Sequence, residues 1–289
     1  MVQCMDDKLI DEWRTVDLST VDLARRAHFQ TRTMESDPLF RPLPFVRFDR
    51  GVAILDHSDD IAGVAWRYGV ESAVYLEVSV AVDARRLGLG TRLLNSVLPS
   101  SGRALALCDA GQRSALRFMA QRGFEYESTI FAYRWDGDLY DVPPTFKNAS
   151  VRPDPTPYQT WRNHRPELVN ELPHTINMLR PEETDDLIGF EAWSGDVSIG
   201  SVVAIKGRQD LGVLSLWVDP GFRKQGIARL LICALLEAAC ERGVGLVVHL
   251  NADEDALKSH AKSLGFWTYR TWQCFSFSSS SSSENQFER

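Results

Sequence analysis

One short stretch of the chain has the residue types of a phosphate-binding loop. Residues 223–228 (RKQGIA) follow a segment of alternating apolar residues that ends at a DPG turn, and an apolar pattern with helical spacing then runs to about Ala239. The first turn of a helix carries N–H groups without intrahelical partners, and a glycine lets a phosphate approach the backbone closely. This order of strand, basic turn and helix predicts a pyrophosphate-binding loop.

The loop differs from two common phosphate-binding motifs. No Gly-Lys-Ser/Thr sequence follows a glycine at the spacing of a Walker A loop, and the Gly-x-Gly-x-x-Gly spacing of a dinucleotide fingerprint is missing. The chemistry therefore has to be inferred from the elements on either side of the loop.

The same pattern occurs a second time in the chain. Residues 85–90 (RRLGLG) lie between a predicted strand at 74–82 and a predicted helix from Thr91. Three glycine landmarks recur in order: Gly63 with Gly200, Gly88 with Gly226, and Gly123-Phe124 with Gly265-Phe266. They are separated by 137, 138 and 142 residues. This recurrence predicts a duplicated domain.

The predicted elements divide the chain into four segments. We expect a first domain at 1–140, a linker rich in Asp and Pro at 141–154, a second domain at 155–276 and a disordered Ser-rich tail at 277–289. In each domain a hairpin precedes the strand-loop-helix pattern. A strand, a short helix (about 113–121 and 255–263) and a closing strand (near 129–135 and 272–275) follow the pattern.

Composition excludes several classes of function. With 289 residues and a net charge of -7, the chain lacks the basic balance of a nucleic-acid-binding protein. Five scattered cysteines indicate free thiols in a reducing compartment and no metal site. No signal-peptide core or apolar run of about 20 residues is present, so we expect a cytoplasmic protein without a membrane partner, as a monomer or homodimer.

Each half resembles a GNAT N-acetyltransferase domain. The resemblance rests on Arg-x-x-Gly-x-Gly/Ala between a strand and a helix, and on the Gly-Phe pair after the next helix. It implies an α/β fold of two tandem GNAT-like domains, each with a twisted, mostly antiparallel mixed sheet and helices on both faces. It also implies acetyl-CoA as co-substrate, bound between two splayed parallel strands.

The resemblance assigns the acetyl-CoA contacts to two strand ends and two loops. The strand residues, which would pair with the pantetheine arm, are Val78, Ser79, Val80, Leu216, Trp217 and Val218. The loop residues, which would hold the pyrophosphate, are Arg85, Arg86, Leu87, Gly88, Leu89, Gly90, Arg223, Lys224, Gln225, Gly226, Ile227 and Ala228. A backbone N–H at the strand end would polarise the thioester carbonyl.

The proton-transfer groups depart from the family pattern. Many members carry a Tyr four residues before the Gly of the Gly-Phe pair, and Met119 and Ala261 occupy these positions here. His260 could replace the missing acid, although a solvent-facing helix position would also explain it. Glu77 could be the general base if a β-bulge turns it inward; otherwise it is a partly exposed strand residue.

Three further residues are weaker candidates. Ser215 is the candidate that the equivalent strand of the second half offers. His249 could line the cleft or be a hydrogen-bonded strand residue, and Asp109 could be a turn or cap residue. The basic pair Arg223-Lys224 favours the second half as the catalytic one.

The leading hypothesis is an enzyme that transfers an acetyl group from acetyl-CoA to a primary amine of a small molecule, by direct attack in a ternary complex. One alternative is a non-catalytic CoA-binding or regulatory module, because both halves lack the Tyr. Another is a protein acetyltransferase that acts on an N-terminus or a lysine.

Overall fold

A computed structural model describes residues 13–33, 48–70, 73–137, 149–168, 186–206 and 210–279. The first half contains strands β1 Arg14–Asp17, β2 Arg50–Leu55, β3 Ile61–Val70, β4 Ala73–Val80, β5 Gly102–Asp109 and β6 Glu125–Trp135, with helices α1 Leu23–Thr33, α2 Leu89–Val97 and α3 Arg113–Gln121. The second half contains β7 Ser150–Pro153, β8 Leu187–Ser194, β9 Val197–Lys206, β10 Asp210–Val218, β11 Gly245–Asn251 and β12 Trp267–Ser279, with α4 Pro157–Leu168, α5 Ile227–Arg242 and α6 Asp255–Ser263.

The described strands form one continuous twelve-stranded sheet across both halves. Its order is β1-β2-β3-β4-β5-β12-β6-β11-β10-β9-β8-β7. The closing strands are therefore exchanged: β12 of the second half pairs with β5 of the first, and β6 of the first half pairs with β11 of the second. Only β4–β5 and β10–β11 are parallel pairs among these strands. The exchange makes each half complete only in the presence of the other.

Helices cover both faces of the sheet. A Cβ at Gly63 would lie 2.8 Å from Leu93 of α2, so α2 packs closely on one face, and Gly200 makes room for α5 in the same way. The other face carries α1 in the first half and α4 in the second. Trp161 of α4 is buried there against Val203 and the other core residues of that face.

The predicted fold class is confirmed: an α/β protein with a large, mostly antiparallel mixed sheet and helices on both faces. The structure also confirms helices at 113–121 and 255–263. Both closing strands are longer than predicted, because they begin directly after the Gly-Phe turns and extend across the exchanged junction.

The domain boundaries stay predictions. Residues 141–148 of the predicted linker and residues 280–289 of the predicted Ser-rich tail lie outside the described residues. Strand β7, the first described strand of the second half, falls within the segment that we predicted as linker.

Candidate functional site: two clefts with matching loops

Each half opens a cleft where its parallel strand pair stops. The ladder between β4 and β5 ends at Leu76–Ala106, and the ladder between β10 and β11 ends at Gly212–Val247. Beyond these pairs the strands diverge, leaving the first cleft (β4 from 77 to 80, β5 from 107 to 109) and the second cleft (β10 from 213 to 218, β11 from 248 to 251). The splayed strands expected from the resemblance are present in both halves.

A β-bulge distinguishes the second cleft from the first. The pairing of β10 with β9 shifts between Val213 and Ser215, so that Leu214 is an extra residue. The pairing of β4 with β3 runs without a shift from Gly63–Val80 to Val70–Ala73. The bulge that we considered beside Glu77 is therefore absent. Gly63 and Gly200 are 137 residues apart, and Gly88 and Gly226 are 138 apart. The inserted Leu214 accounts for this difference of one residue.

The loops at the outer ends of the clefts have the same backbone shape. Gly88 and Gly226 have φ of 79° and 84°, and two residues earlier Arg86 and Lys224 have φ of 68° and 61°. A non-glycine residue in this region is uncommon and costs roughly 1–2 kcal/mol. The strained conformation recurs at matching positions, which indicates that each loop must keep this shape.

The first arginine of each loop anchors it to the preceding strand. Nε of Arg85 donates to the carbonyl oxygen of Val80 at 3.2 Å, and Nε of Arg223 donates to that of Val218 at 3.0 Å. The charge of Arg223 was predicted to lie beside the phosphate. The structure gives both arginines a further, structural contact that fixes the loop relative to the strand end.

The remaining loop residues separate into an exposed rim and a buried base. Leu87 is exposed, whereas Leu89 and Ile227, the first residues of α2 and α5, are buried. The Gln225 side chain donates to the carbonyl oxygen of Gly221 at 3.1 Å. A Cβ at Gly88 would meet nothing within 4 Å, so the first loop faces open space.

Glu77 lies at the apex of the first cleft. It is the first residue of β4 beyond the last parallel pair, and its register partner in β3 is the buried Trp66. Burial raises the pKa of Glu77 to about 8, and its charge contributes to the raised pKa of Tyr68 nearby. The structure thus places a carboxyl with a near-neutral pKa where the two parallel strands part.

The apex of the second cleft has different side chains. Ser215 is buried opposite Val203, and His249 lies on β11 two residues beyond the last parallel pair. Both ring nitrogens of His249 are inaccessible to solvent. Trp217 of β10, a predicted contact of the pantetheine arm, lies opposite Ser201 of β9.

His260 lies on α6, in the other half of the chain from Glu77. Burial, and secondarily the charge of Arg229 in the first turn of α5, lowers the pKa of His260. The two predicted catalytic residues are therefore not brought together in one cleft.

Asp109 occupies the carboxyl end of β5, at the mouth of the first cleft. Its Oδ1 accepts the Gly111 N–H at 2.7 Å, and its Oδ2 lies 3.5 Å from Nε of Arg270. Sequence reasoning missed Arg270, because it belongs to the second half and reaches this cleft through the exchanged strand β12. No local sequence signal marks such a contact.

A family model described as the acetyltransferase (GNAT) family matches residues 149–266. Residues 149–266 therefore have the sequence pattern of a GNAT acetyltransferase domain. No curated protein sequence matches the chain.

Solved structures of GNAT proteins resemble nearly the whole chain. A tandem GNAT protein from the clavulanic acid biosynthesis pathway, solved without AcCoA, has a TM-score of 0.71 at 14% identity, covering 94% of this chain and 100% of that one. A GCN5-related N-acetyltransferase from Sphaerobacter thermophilus has a TM-score of 0.65 at 15% identity, covering 93% and 96%. At these identities the likeness establishes the tandem GNAT fold.

A third structure resembles this chain along only part of its own length. It is a fungal GCN5-related glucosamine N-acetyltransferase region within a multi-domain GH3 beta-N-acetylglucosaminidase. Its TM-score is 0.64 at 15% identity, over 92% of this chain and 38% of that one.

The GNAT fold places the two residues that replace the family Tyr inside the protein. Met119 and Ala261 are both buried, in the cores of the first and second halves. Neither side chain can donate a proton to a departing thiolate.

Two further properties bear on possible ligands. In the described part of the chain, no group of three or more His, Cys, Asp or Glu residues is arranged to hold a metal ion. No helix among the described residues has the length and apolar character needed to cross a membrane.

Proposed function

We propose that this protein is an acetyl-CoA-dependent N-acetyltransferase that acetylates the primary amine of a small molecule in its first cleft. One observation carries the proposal. Glu77, whose pKa is raised to about 8, lies at the apex of a cleft between parallel strands, and a phosphate-type loop closes the outer end of that cleft.

The first cleft fits the shape and charge of acetyl-CoA. The exposed loop at 85–90 opens onto free space and would hold the pyrophosphate on its N–H groups. The β4 edge from Val78 to Val80 faces the cleft and would pair with the amide groups of the pantetheine arm. Because the loop follows the carboxyl end of β4, an arm running back along the strand points its acyl end toward Glu77.

Glu77 would act as the general base. An alkylammonium has a pKa near 10, so its nitrogen must lose a proton before it can attack. A base is most effective when its pKa lies near the working pH, which suits a carboxyl at about 8. Bound acetyl-CoA supplies an activated thioester. Glu77 would receive the first ammonium proton, which frees the nitrogen lone pair for attack. As the C–N bond forms and the C–S bond breaks, the nitrogen releases its second proton to solvent, and the departing thiolate takes a proton from solvent.

The test is the variant Glu77→Gln, assayed for CoA thiol release with a panel of primary amines. We expect kcat to fall about 10²- to 10⁴-fold while the affinity for acetyl-CoA, measured by isothermal titration, is unchanged. Ser215→Ala, at the matching position of the second half, is the control and should retain activity. Full activity of Glu77→Gln would exclude this role.

A second candidate function is CoA binding without turnover, favoured by the buried Met119 and Ala261 in place of the Tyr acid. In that case acetyl-CoA binds with a measurable heat, but no amine in the panel releases thiol. The second cleft, which has the matching loop and lacks a counterpart of Glu77, fits such a role better than the first.

A further inference from the structure

A polar cavity opens at the mouth of the first cleft. It has a volume of ≈ 380 Å³ and is lined by the turn after β5 and by the start of β12, namely Asp109, Ala110, Gly111, Thr268, Tyr269, Arg270 and Thr271. A bulge in β12 between Thr268 and Arg270 and a hydrogen bond from Ala110 N–H to the Thr271 carbonyl oxygen shape its walls. The cavity thus joins elements from both halves.

The guanidinium of Arg270 is held in place beside this cavity. Its side chain is only 14% exposed, its Nε lies 3.5 Å from Asp109 Oδ2, and its guanidinium carbon lies 5.3 Å from the ring centre of Trp272. An arginine that is stacked on an aromatic ring and paired with a carboxylate loses little further freedom on binding. Its planar fork matches the geometry of a carboxylate.

Asp109, Arg270 and Glu77 lie on the same face of the sheet. Asp109 is the register partner of Trp272 in β12, so these two side chains lie on one face. Arg270 is two residues before Trp272 and therefore lies on the same face. Extending the Leu76–Ala106 register places Glu77 level with Leu107, again on that face. Asp109 is two residues further along β5, and the strands diverge here, so its distance from Glu77 is at least roughly 8 Å, the value for one ordinary strand spacing.

The duplicated half provides an internal comparison. At the second cleft, Asn251 of β11 pairs with Ile130 of β6, just as Asp109 of β5 pairs with Trp272 of β12 at the first. Ser128, two residues before Ile130, therefore has the position that Arg270 has at the first cleft. Ser215 likewise matches Glu77. At these three positions the first cleft has charged or titratable groups and the second has neutral ones.

From this asymmetry we infer that the cavity binds a carboxylate on the acceptor, and that Arg270 is the residue that recognises it. This inference rests on the proposed function, because it assigns the tail of the same acceptor whose amine lies near Glu77. The acceptor class is then a primary amine with a carboxylate several bonds away. The second half of the chain determines specificity in the first cleft.

The probe is 6-aminohexanoate, which carries a primary amine and a carboxylate at opposite ends of a flexible chain. Its matched control is the neutral 6-aminohexanamide. Binding of each to the CoA-saturated protein is measured by isothermal titration, which needs no turnover. We expect the carboxylate to bind about 10- to 100-fold more tightly than the amide, the range for a charged hydrogen bond.

Variants at matching positions assign the effect. Arg270→Gln should abolish the preference, Arg270→Lys should keep part of it, and Ser128→Ala should leave it intact. Equal binding of the two probes to the wild-type protein, or an unchanged preference in Arg270→Gln of wild-type melting temperature, would overturn the inference. A carboxylate preference without acetylation of any amine would contradict the proposed function and still support the subsite.

Discussion

The two clefts of this molecule share their backbone and differ in their chemistry. Both have a parallel pair that stops after three residues, an arginine anchoring the loop to the strand end, and two positive-φ positions in the loop. The first has Glu77, Asp109 and Arg270, where the second has Ser215, Asn251 and Ser128. The two halves therefore share the loop and strand geometry that we propose for the donor, whereas the groups that we propose for proton transfer and acceptor recognition occur together in the first cleft.

The bulge adds a second contrast. Leu214 is inserted at the apex of the second cleft and is buried among the core residues beneath α4, including Trp161. The first cleft has no such residue and places a carboxyl at its apex. The family model matches the half with the bulge. The family model therefore matches the half whose cleft has no counterpart of Glu77.

The strongest test of the comparison removes the exchanged strand. Ending the chain after Phe266 deletes β12, which pairs with both β5 and β6. We expect complete loss of the cooperative thermal transition in both halves, because the central sheet then has two exposed edges and the buried Cys274 and Phe275 are missing. A chain ending after Ser279 is the control. A truncated protein that still shows a cooperative transition by circular dichroism would show that the halves fold independently.

The next largest effect should come from the two loop glycines. Gly88→Ala and Gly226→Ala each force a side chain into a positive-φ conformation, which costs roughly 1–2 kcal/mol and distorts the loop. We expect each variant to weaken acyl-CoA binding at its own cleft about tenfold. Isothermal titration of the wild type and both variants gives the affinity and the number of sites. An unchanged titration in Gly88→Ala would exclude the first loop as a donor site.

Much of this fold was predictable because its signals are local. Gly63 and Gly200 mark close contacts with α2 and α5, and Gly88 and Gly226 mark positive-φ turns. These requirements of single residues survive duplication and reveal the repeat. Helical periodicity also gave the bounds of α3 and α6 correctly.

The composition of the clefts could not be predicted in the same way. Arg270 lies next to Asp109 because β12 crosses to the other half, and strand exchange leaves the hydrophobic pattern of each half unchanged. The partial burial of Glu77 depends on neighbours in β3, such as Trp66, that pair with it across the sheet. Long-range pairing therefore determines the site, whereas local pattern determines the elements.

The pH dependence of stability provides a smaller effect that is specific to the first half. Burial raises the pKa of Glu77 from 4.5 to about 8, so between these values the folded protein keeps a proton that the unfolded chain has lost. The free energy of unfolding should therefore fall as pH rises through this range. Glu77→Gln removes the dependence, and its melting temperature should exceed that of the wild type more at pH 8 than at pH 5. Ser215→Ala should show no such trend, and parallel curves for wild type and Glu77→Gln would contradict the raised pKa.

The smallest predicted effect concerns the last residue of the two loop motifs, Gly90 and Ala228. Gly90 lies within α2, has no positive φ, and a Cβ there would meet the Phe118 ring at 3.6 Å, an ordinary contact distance. Alanine is favoured over glycine in a helix by up to about 1 kcal/mol, so Gly90→Ala should stabilise the protein by roughly 0.5–1 kcal/mol. Urea unfolding gives the free energy of unfolding of both variants. It should rise in Gly90→Ala and fall in Gly88→Ala. Destabilisation by Gly90→Ala would show that the first loop requires glycine at this position, although the second loop has Ala228 there.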